Sequence, residues 1–210
     1  MISADAIELN GCELRDLPEA RLRALLGGSL AMVFQDPMSA LNPVLRVGRQ
    51  LAEVVEVHEG VPRRAALARA VERLRDVRIP APERRAHQYP AEFSGGMRQR
   101  AVIGQGLMAD PVLILADEPT TTLDVSVQGA VLNLLREVRA RLGISVLFIS
   151  HNLAVVRYLA DTSAVMNEGR LVEVAPTDEL IGRPQAEYTQ TLLAAVPGMG
   201  GQGVERVFTS

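Results

Sequence analysis

A short apolar segment that ends in two acidic residues constrains the fold of this 210-residue chain more than any other feature. Residues 112–116 read VLILA, and Asp117 and Glu118 follow directly. Such a run is typical of a strand that is buried on both faces of a parallel sheet. Ligands bind at the carboxyl ends of these strands. We therefore expect the two carboxylates to belong to a ligand site, although solvated acids that cap a buried strand would give the same pattern.

The order of the remaining segments favours an α/β fold with a parallel sheet. Apolar runs at residues 30–34 and 144–150 predict two further strands, the second also buried. Residues 44–108 are mainly of helical period, and we expect them to form a helical subdomain inserted in the sheet core of a single domain, residues 1–210. Within that segment, three prolines predict a loop at residues 78–92.

Composition excludes several classes of protein. Charged residues make up 22% of the chain and the net charge is -3, so no basic surface for nucleic acid is expected. The sequence contains no apolar run of about 18 residues that could cross a bilayer. The single cysteine, Cys12, excludes an internal disulfide. These features predict a cytoplasmic protein. The glycine-rich residues 197–210 predict a flexible tail.

A second chemical motif lies at residues 93–100, which read FSGGMRQR. Gly95 and Gly96 allow the backbone to approach a ligand closely. They open a predicted helix, and the free N–H groups of a helix N-terminus favour an anion. Ser94 adds a hydroxyl donor. The structural alternative is that Ser94 only caps the helix.

Three further polar residues follow predicted strands or precede a helix. Gln35 follows the strand at residues 30–34, and His151 follows the strand at residues 144–150. Asp124 precedes a helical pattern and is typical of an N-cap. Each of these residues has an ordinary structural interpretation when it is considered alone.

The order and spacing of these segments resemble the motifs of ABC transporter ATPases over residues 4–197. The resemblance implies a P-loop NTPase-like parallel sheet core. Residues 34–43, FQDPMSALNP, and residues 183–193, RPQAEYTQTLL, are similar to the peptide and nickel importer branch. The implied function is the import of peptides or a similar small solute, driven by ATP hydrolysis.

The resemblance also implies roles for individual residues. Glu118 is expected to be the catalytic base, and His151 to contact the γ-phosphate. Asp117 and Gln35 are expected to associate with Mg²⁺. Six residues, including Gln35, are expected to take part in ATP binding, and some of them would contact a nucleotide held by an opposing protomer. They are Gln35, Ser94, Gly95, Gly96, Gln99 and Asp124. The implied partners are transmembrane permease subunits and a second ABC ATPase subunit, at the inner face of the cell membrane.

One departure from the family concerns the phosphate-binding loop. A P-loop reads G-x-x-x-x-G-K-[ST]. All 22 basic residues of this chain are arginines, so no lysine can serve it. We therefore expect an N-terminally truncated member that lacks the first strands and the P-loop and is inactive by itself. Two other interpretations stay open: a non-catalytic chain that supplies the signature motif to a full-length partner, and a remnant without activity.

Overall fold

The computed structural model describes residues 6–121 and 123–195. The predicted flexible tail at residues 197–210 lies outside this part of the chain.

The first elements form a small hairpin and lead into the central sheet. They are β1 (Glu8–Leu9), β2 (Cys12–Glu13), α1 (Glu19–Leu25), β3 (Leu30–Val33) and α2 (Pro37–Ala40). β1 and β2 pair antiparallel across Asn10 and Gly11, which both have positive φ. This is the backbone that an Asn-Gly hairpin turn requires.

Helices occupy the middle of the chain. They are α3 (Val47–Glu59), α4 (Arg63–Asp76), α5 (Pro82–Ala86), a 3₁₀ turn (Pro90–Glu92) and α6 (Gly95–Gly106). Asp110, which follows α6, accepts hydrogen bonds from Arg69 at 2.7 Å and from Arg73 at 2.6 Å on α4. Helices α3 to α6 lie between β3 and β4 in the sequence, and they pack on one another. We therefore propose that residues 44–108 act as one inserted subdomain.

The last elements complete the sheet and add a second hairpin. They are β4 (Leu113–Asp117), α7 (Val125–Leu142), β5 (Ser145–Ile149), α8 (Leu153–Leu159), β6 (Thr162–Asn167), β7 (Arg170–Pro176), α9 (Thr177–Gly182) and α10 (Glu187–Ala194). β3, β4 and β5 form a parallel sheet in that order, while β6 and β7 pair antiparallel. The predicted α/β class with a parallel sheet is confirmed.

One face of the parallel sheet carries the hydrophobic core. Ala31 and Val33 of β3 and Ile114 and Ala116 of β4 are buried in a cluster shared with α6 and α7. A parallel strand pair connected through helices buries its face in this way. Within the described residues, no helix is both long enough and apolar enough to cross a membrane.

The opposite face of the sheet corrects the prediction that β4 and β5 are buried on both sides. Leu147 and Ile149 of β5 are 55% and 52% exposed, and Met32 of β3 is 42% exposed. Leu113 and Leu115 of β4 are half-buried on the same face. We call these five residues the open sheet face. An apolar run cannot reveal whether both of its faces are covered, because coverage depends on what else packs there.

The predicted loop at residues 78–92 is a second correction. It contains α5 and the 3₁₀ turn, and both begin with a proline. Proline is well tolerated at the first helical position, where its missing N–H has no partner to lose. The prolines therefore mark helix starts here, not continuous loop.

Candidate functional site at the carboxyl edge of the sheet

Three of the predicted site residues lie at the carboxyl ends of the three parallel strands. Gln35 is two residues past β3, Glu118 directly follows β4, and His151 is two residues past β5. The register pairs Val33 with Ala116, and Asp117 with Ile149, so the three strands end side by side. Parallel pairing therefore brings together residues that are far apart in the sequence.

The carboxylate of Glu118 is the centre of this group. Nδ1 of His151 lies 2.7 Å from Oε1 of Glu118. Oε2 accepts two hydrogen bonds, one from Nε2 of Gln35 at 3.2 Å and one from the hydroxyl of Thr121 at 3.0 Å. We call these four residues the Glu118 cluster. Both carboxylate oxygens are thus held by side chains of the same chain.

The backbone of Glu118 has an unusual conformation. Its φ is 43°, in the left-handed region that costs a residue other than glycine about 1–3 kcal/mol. Two backbone hydrogen bonds oppose this cost. The N–H of Glu118 donates to the carbonyl of Ile149 at 3.0 Å, and the N–H of Thr121 donates to the carbonyl of Glu118 at 3.2 Å. The turn after β4 therefore fixes the direction of the Glu118 side chain.

The cluster keeps Glu118 ionised. The hydrogen bond with His151 lowers the pKa of Glu118 most, burial opposes it, and the hydroxyl of Thr121 lowers it further. A carboxyl with a lowered pKa is a carboxylate at neutral pH, and it can accept a hydrogen bond from a water. The carboxylate can therefore hold a water molecule at this edge of the sheet.

Asp117 lies beside this cluster and has a free carboxylate. It is the last residue of β4 and half-buried, and its side chain has no hydrogen bond or ion pair in the described part of the chain. Carboxylate and amide oxygens are the ligands that Mg²⁺ takes, usually one or two from protein and the rest from phosphates and water. Asp117 and the amide oxygen of Gln35 fit this ion. Among the described residues, no group of three or more His, Cys, Asp or Glu side chains could hold a metal. Mg²⁺ at this edge would therefore need phosphate and water ligands as well.

The signature segment, Ser94 to Gly96, forms a second group. Ser94 caps α6, since its hydroxyl accepts from the N–H of Met97 at 3.3 Å. An ideal Cβ on Gly96 would lie 2.4 Å from Cγ1 of Val127, so α6 begins directly against α7. Asp124 caps α7 by accepting from the N–H of Val127 at 2.9 Å. Ser94 and Asp124 therefore each have a structural role as the N-cap of a helix.

Gln99 does not lie with the other predicted nucleotide contacts. Its side chain is fully buried, and neither amide atom has a partner among the described residues. Its side chain presents no exposed surface in the described part of the chain, so the expected contact of Gln99 with ATP stays a prediction. Gly96, Gln99 and Ile103 are spaced by three and four residues and share a face of α6, so helical period is the signal that identifies Gln99 as a core residue.

Thr121 is a site residue that the sequence motifs did not indicate. It donates to the Glu118 carboxylate from within the same turn, three residues later. A hydroxyl three residues after an acid is a common pattern in turns, so spacing alone gives only a weak signal.

The Glu118 cluster lies at the carboxyl edge of a parallel sheet, which is where α/β proteins bind their ligands. A profile described as ABC transporter matches residues 2–121. The chain belongs to the ABC transporter family, and the resemblance stated from the motifs is confirmed.

The curated relatives that the chain resembles are named as ATP-binding proteins of peptide transporters. The chain is 45% identical over 201 residues to the oligopeptide transport ATP-binding protein OppD of Bacillus subtilis, which covers 96% of this chain and 56% of that protein. It is 48% identical to a probable peptide ABC transporter ATP-binding protein, y4tR, of Sinorhizobium fredii, over 89% of this chain and 56% of that protein. The chain thus spans a little over half the length of these relatives.

Solved structures share the fold. One is the dimeric structure of a post-hydrolysis state of the ATP-binding cassette MJ0796 bound to ADP and Pi. Its TM-score is 0.69 at 24% identity, covering 80% of this chain and 72% of that one. At this identity the likeness supports the fold alone.

Proposed function

We propose that this chain belongs to the ATP-hydrolysing subunit of a peptide importer. The observation that carries the proposal is the Glu118 cluster, which unites residues from the ends of three strands around one ionised carboxylate. In this role Glu118 orients the attacking water and accepts its proton. His151 contacts the terminal phosphate. The names of the curated relatives support peptides as the cargo.

Asp117 and Gln35 would hold Mg²⁺, which neutralises charge on the phosphates when it is bound. Ser94, Gly95 and Gly96 would present the N-terminus of α6 to the phosphates of a nucleotide held by a second ATPase subunit. One solved structure that shares this fold, the ATP-binding cassette MJ0796, is itself dimeric. The proximity of the signature segment to Asp124 would then link the two subunits' sites.

Glu118→Gln tests the catalytic assignment in the assembled transporter. The amide cannot accept the proton of the attacking water, so we expect ATPase activity to fall at least about 100-fold. Binding of ATP should remain, because the base is not a main source of affinity. Retained hydrolysis in this variant would rule out Glu118 as the base.

The permease subunits would dock on a groove of about 430 Å³ between the segment after β3 and α3. Leu45 and Val57 line it with exposed apolar side chains, and Val44 next to it is 73% exposed. Gln50 stiffens the loop through hydrogen bonds with Asn42 at 2.8 and 3.0 Å. Docking here would place the chain peripherally on the inner face of the membrane. The variant Val57→Cys should crosslink to the permease subunits. Failure to crosslink would exclude this groove as the docking site.

A polypeptide of only these 210 residues is expected to bind ATP weakly, because none of its basic residues is a lysine. Micromolar affinity in a titration with Mg-ATP would contradict this. The alternative function, that the chain only supplies its signature segment to another ATPase, predicts that Ser94→Arg abolishes the partner's activity while Glu118→Gln has no effect.

A further inference from the structure

We propose that Thr121 is a positioning residue for the base, and this inference rests on the proposed function of Glu118. The hydroxyl of Thr121 donates to Oε2 of Glu118 at 3.0 Å. Nothing in the motifs or in the names of relatives assigns it a role. The contact reaches the carboxylate directly, so it can set where the carboxylate points.

Thr121 holds Glu118 at two points. Its N–H donates to the carbonyl of Glu118 at 3.2 Å and closes the turn, while its hydroxyl donates to the carboxylate of the same residue. The turn fixes a left-handed backbone at Glu118, and the hydroxyl fixes the far end of the side chain. A glutamate side chain otherwise loses considerable rotamer freedom when it is ordered, so a local clamp lowers the cost of holding it ready.

The other two partners of Glu118 are not equivalent to Thr121. Gln35 and His151 come from other strand ends, 83 and 33 residues away in the sequence. In the proposed function they contact the metal and the terminal phosphate. Each of them would serve two partners at once, with Oε1 of Gln35 facing the metal and Nε2 of His151 facing the phosphate. Thr121 is assigned no ligand in the proposed function, so of these three partners it alone serves only to position Glu118.

Two substitutions separate the hydroxyl from the shape of the side chain. Thr121→Val keeps the β-branched shape and the backbone hydrogen bond but removes the donor. Thr121→Ser keeps the donor. Thr191→Val is a matched control, because its hydroxyl donates to the carbonyl of Glu187 within α10, far along the chain from the cluster.

The first measurement is steady-state ATPase activity of the assembled transporter. We expect Thr121→Val to lower kcat about tenfold with KM changed less than about twofold, since a base that is misplaced slows the chemical step. Thr121→Ser should restore kcat, and Thr191→Val should leave it unchanged. An unchanged kcat in Thr121→Val, or failure of serine to restore it, would overturn the proposal.

A second measurement does not depend on hydrolysis. ¹³C relaxation of the Glu118 side chain in the assembled transporter should show reduced order in Thr121→Val and native order in Thr121→Ser. Equal order in both variants would also overturn the proposal. If the wild-type transporter hydrolyses no ATP, the proposed function fails, but the relaxation result still decides whether Thr121 positions Glu118.

Discussion

At the scale of single residues, position after a strand was the most useful sequence signal. Gln35, Glu118 and His151 were predicted from that position, and the structure brings them into hydrogen-bond contact. Thr121 was missed because its role depends on the left-handed turn at Glu118, which no motif encodes. Gln99 was predicted from a motif alone, whereas the helical period of α6 places it on the buried face.

Gly48 on α3 illustrates a residue that is fixed by close packing. An ideal Cβ at this position would lie 2.8 Å from both the carbonyl oxygen and the Cβ of Ala86 on α5. Backbone cannot move aside as a flexible side chain can, so we expect Gly48→Ala to lower the free energy of unfolding by about 1–3 kcal/mol. Urea denaturation measures this change.

Gly182→Ala is the control for that prediction. Gly182 is also helical, at the end of α9, and a Cβ there would meet none of the described residues within 4 Å. Its substitution should change stability by less than about 0.5 kcal/mol. Equal losses in the two variants would show that the contact with Ala86 is not the cause.

At the scale of elements, capping residues were the useful signal. Asp124 was predicted as an N-cap and α7 begins directly after it, while Gly143 with a φ of 66° ends the helix. α5 was missed because its prolines were taken as breaks, although Ala81 before it supplies the turn with a φ of 50°. Capping residues and prolines therefore predict where a helix begins or ends better than they predict whether the segment between them is helix or loop.

The start of α10 depends on one carboxylate. Glu173 of β7 accepts from the N–H groups of Gln185 at 2.9 Å and Ala186 at 3.1 Å. The first of these bonds lowers the pKa of Glu173 most, the second adds to the shift, and burial opposes it. Its stabilising contribution is thus fully present above the unfolded pKa of about 4.3 and is lost as pH falls through the lower folded value.

Glu173→Gln should therefore destabilise the protein at pH 7, and the difference from wild type should shrink once pH falls below about 4. Thermal melts at several pH values measure this. Glu179→Gln is the control, because Glu179 has no side-chain hydrogen bond or ion pair within the described residues. A difference from wild type that stays constant at low pH would show that the charge of Glu173 is not responsible.

At the scale of the whole molecule, the fold class could be predicted but the coverage of the sheet could not. Alternating strands and helices indicated a parallel α/β core, and the three-stranded sheet confirms it. The open sheet face was not predicted, because strand sequences such as β5 read the same whether one face or two are covered.

The open sheet face predicts association of a polypeptide made of these 210 residues. Exposed contiguous apolar surface on a strand at the sheet edge promotes pairing between chains. We expect ANS binding and an apparent mass that rises with concentration. The double variant Leu147→Thr and Ile149→Thr should reduce both, since threonine keeps strand propensity but is less apolar.

Leu142→Gln is the comparison for this test. Leu142 is 37% exposed at the end of α7, outside the open sheet face, so its substitution should leave association unchanged. Light scattering across a concentration series measures the outcome. A monomer with a sharp two-state melt in the wild-type polypeptide would contradict the prediction.

The capping role of Ser94 has a consequence for genetics. A screen for loss of function would recover substitutions here for two unrelated reasons, a weakened α6 or an altered ligand surface. Asparagine caps a helix about as well as serine, while alanine does not. An allele series at this codon can therefore assign the defect: failure of alanine alone indicates folding, and failure of asparagine as well indicates that the hydroxyl itself is required.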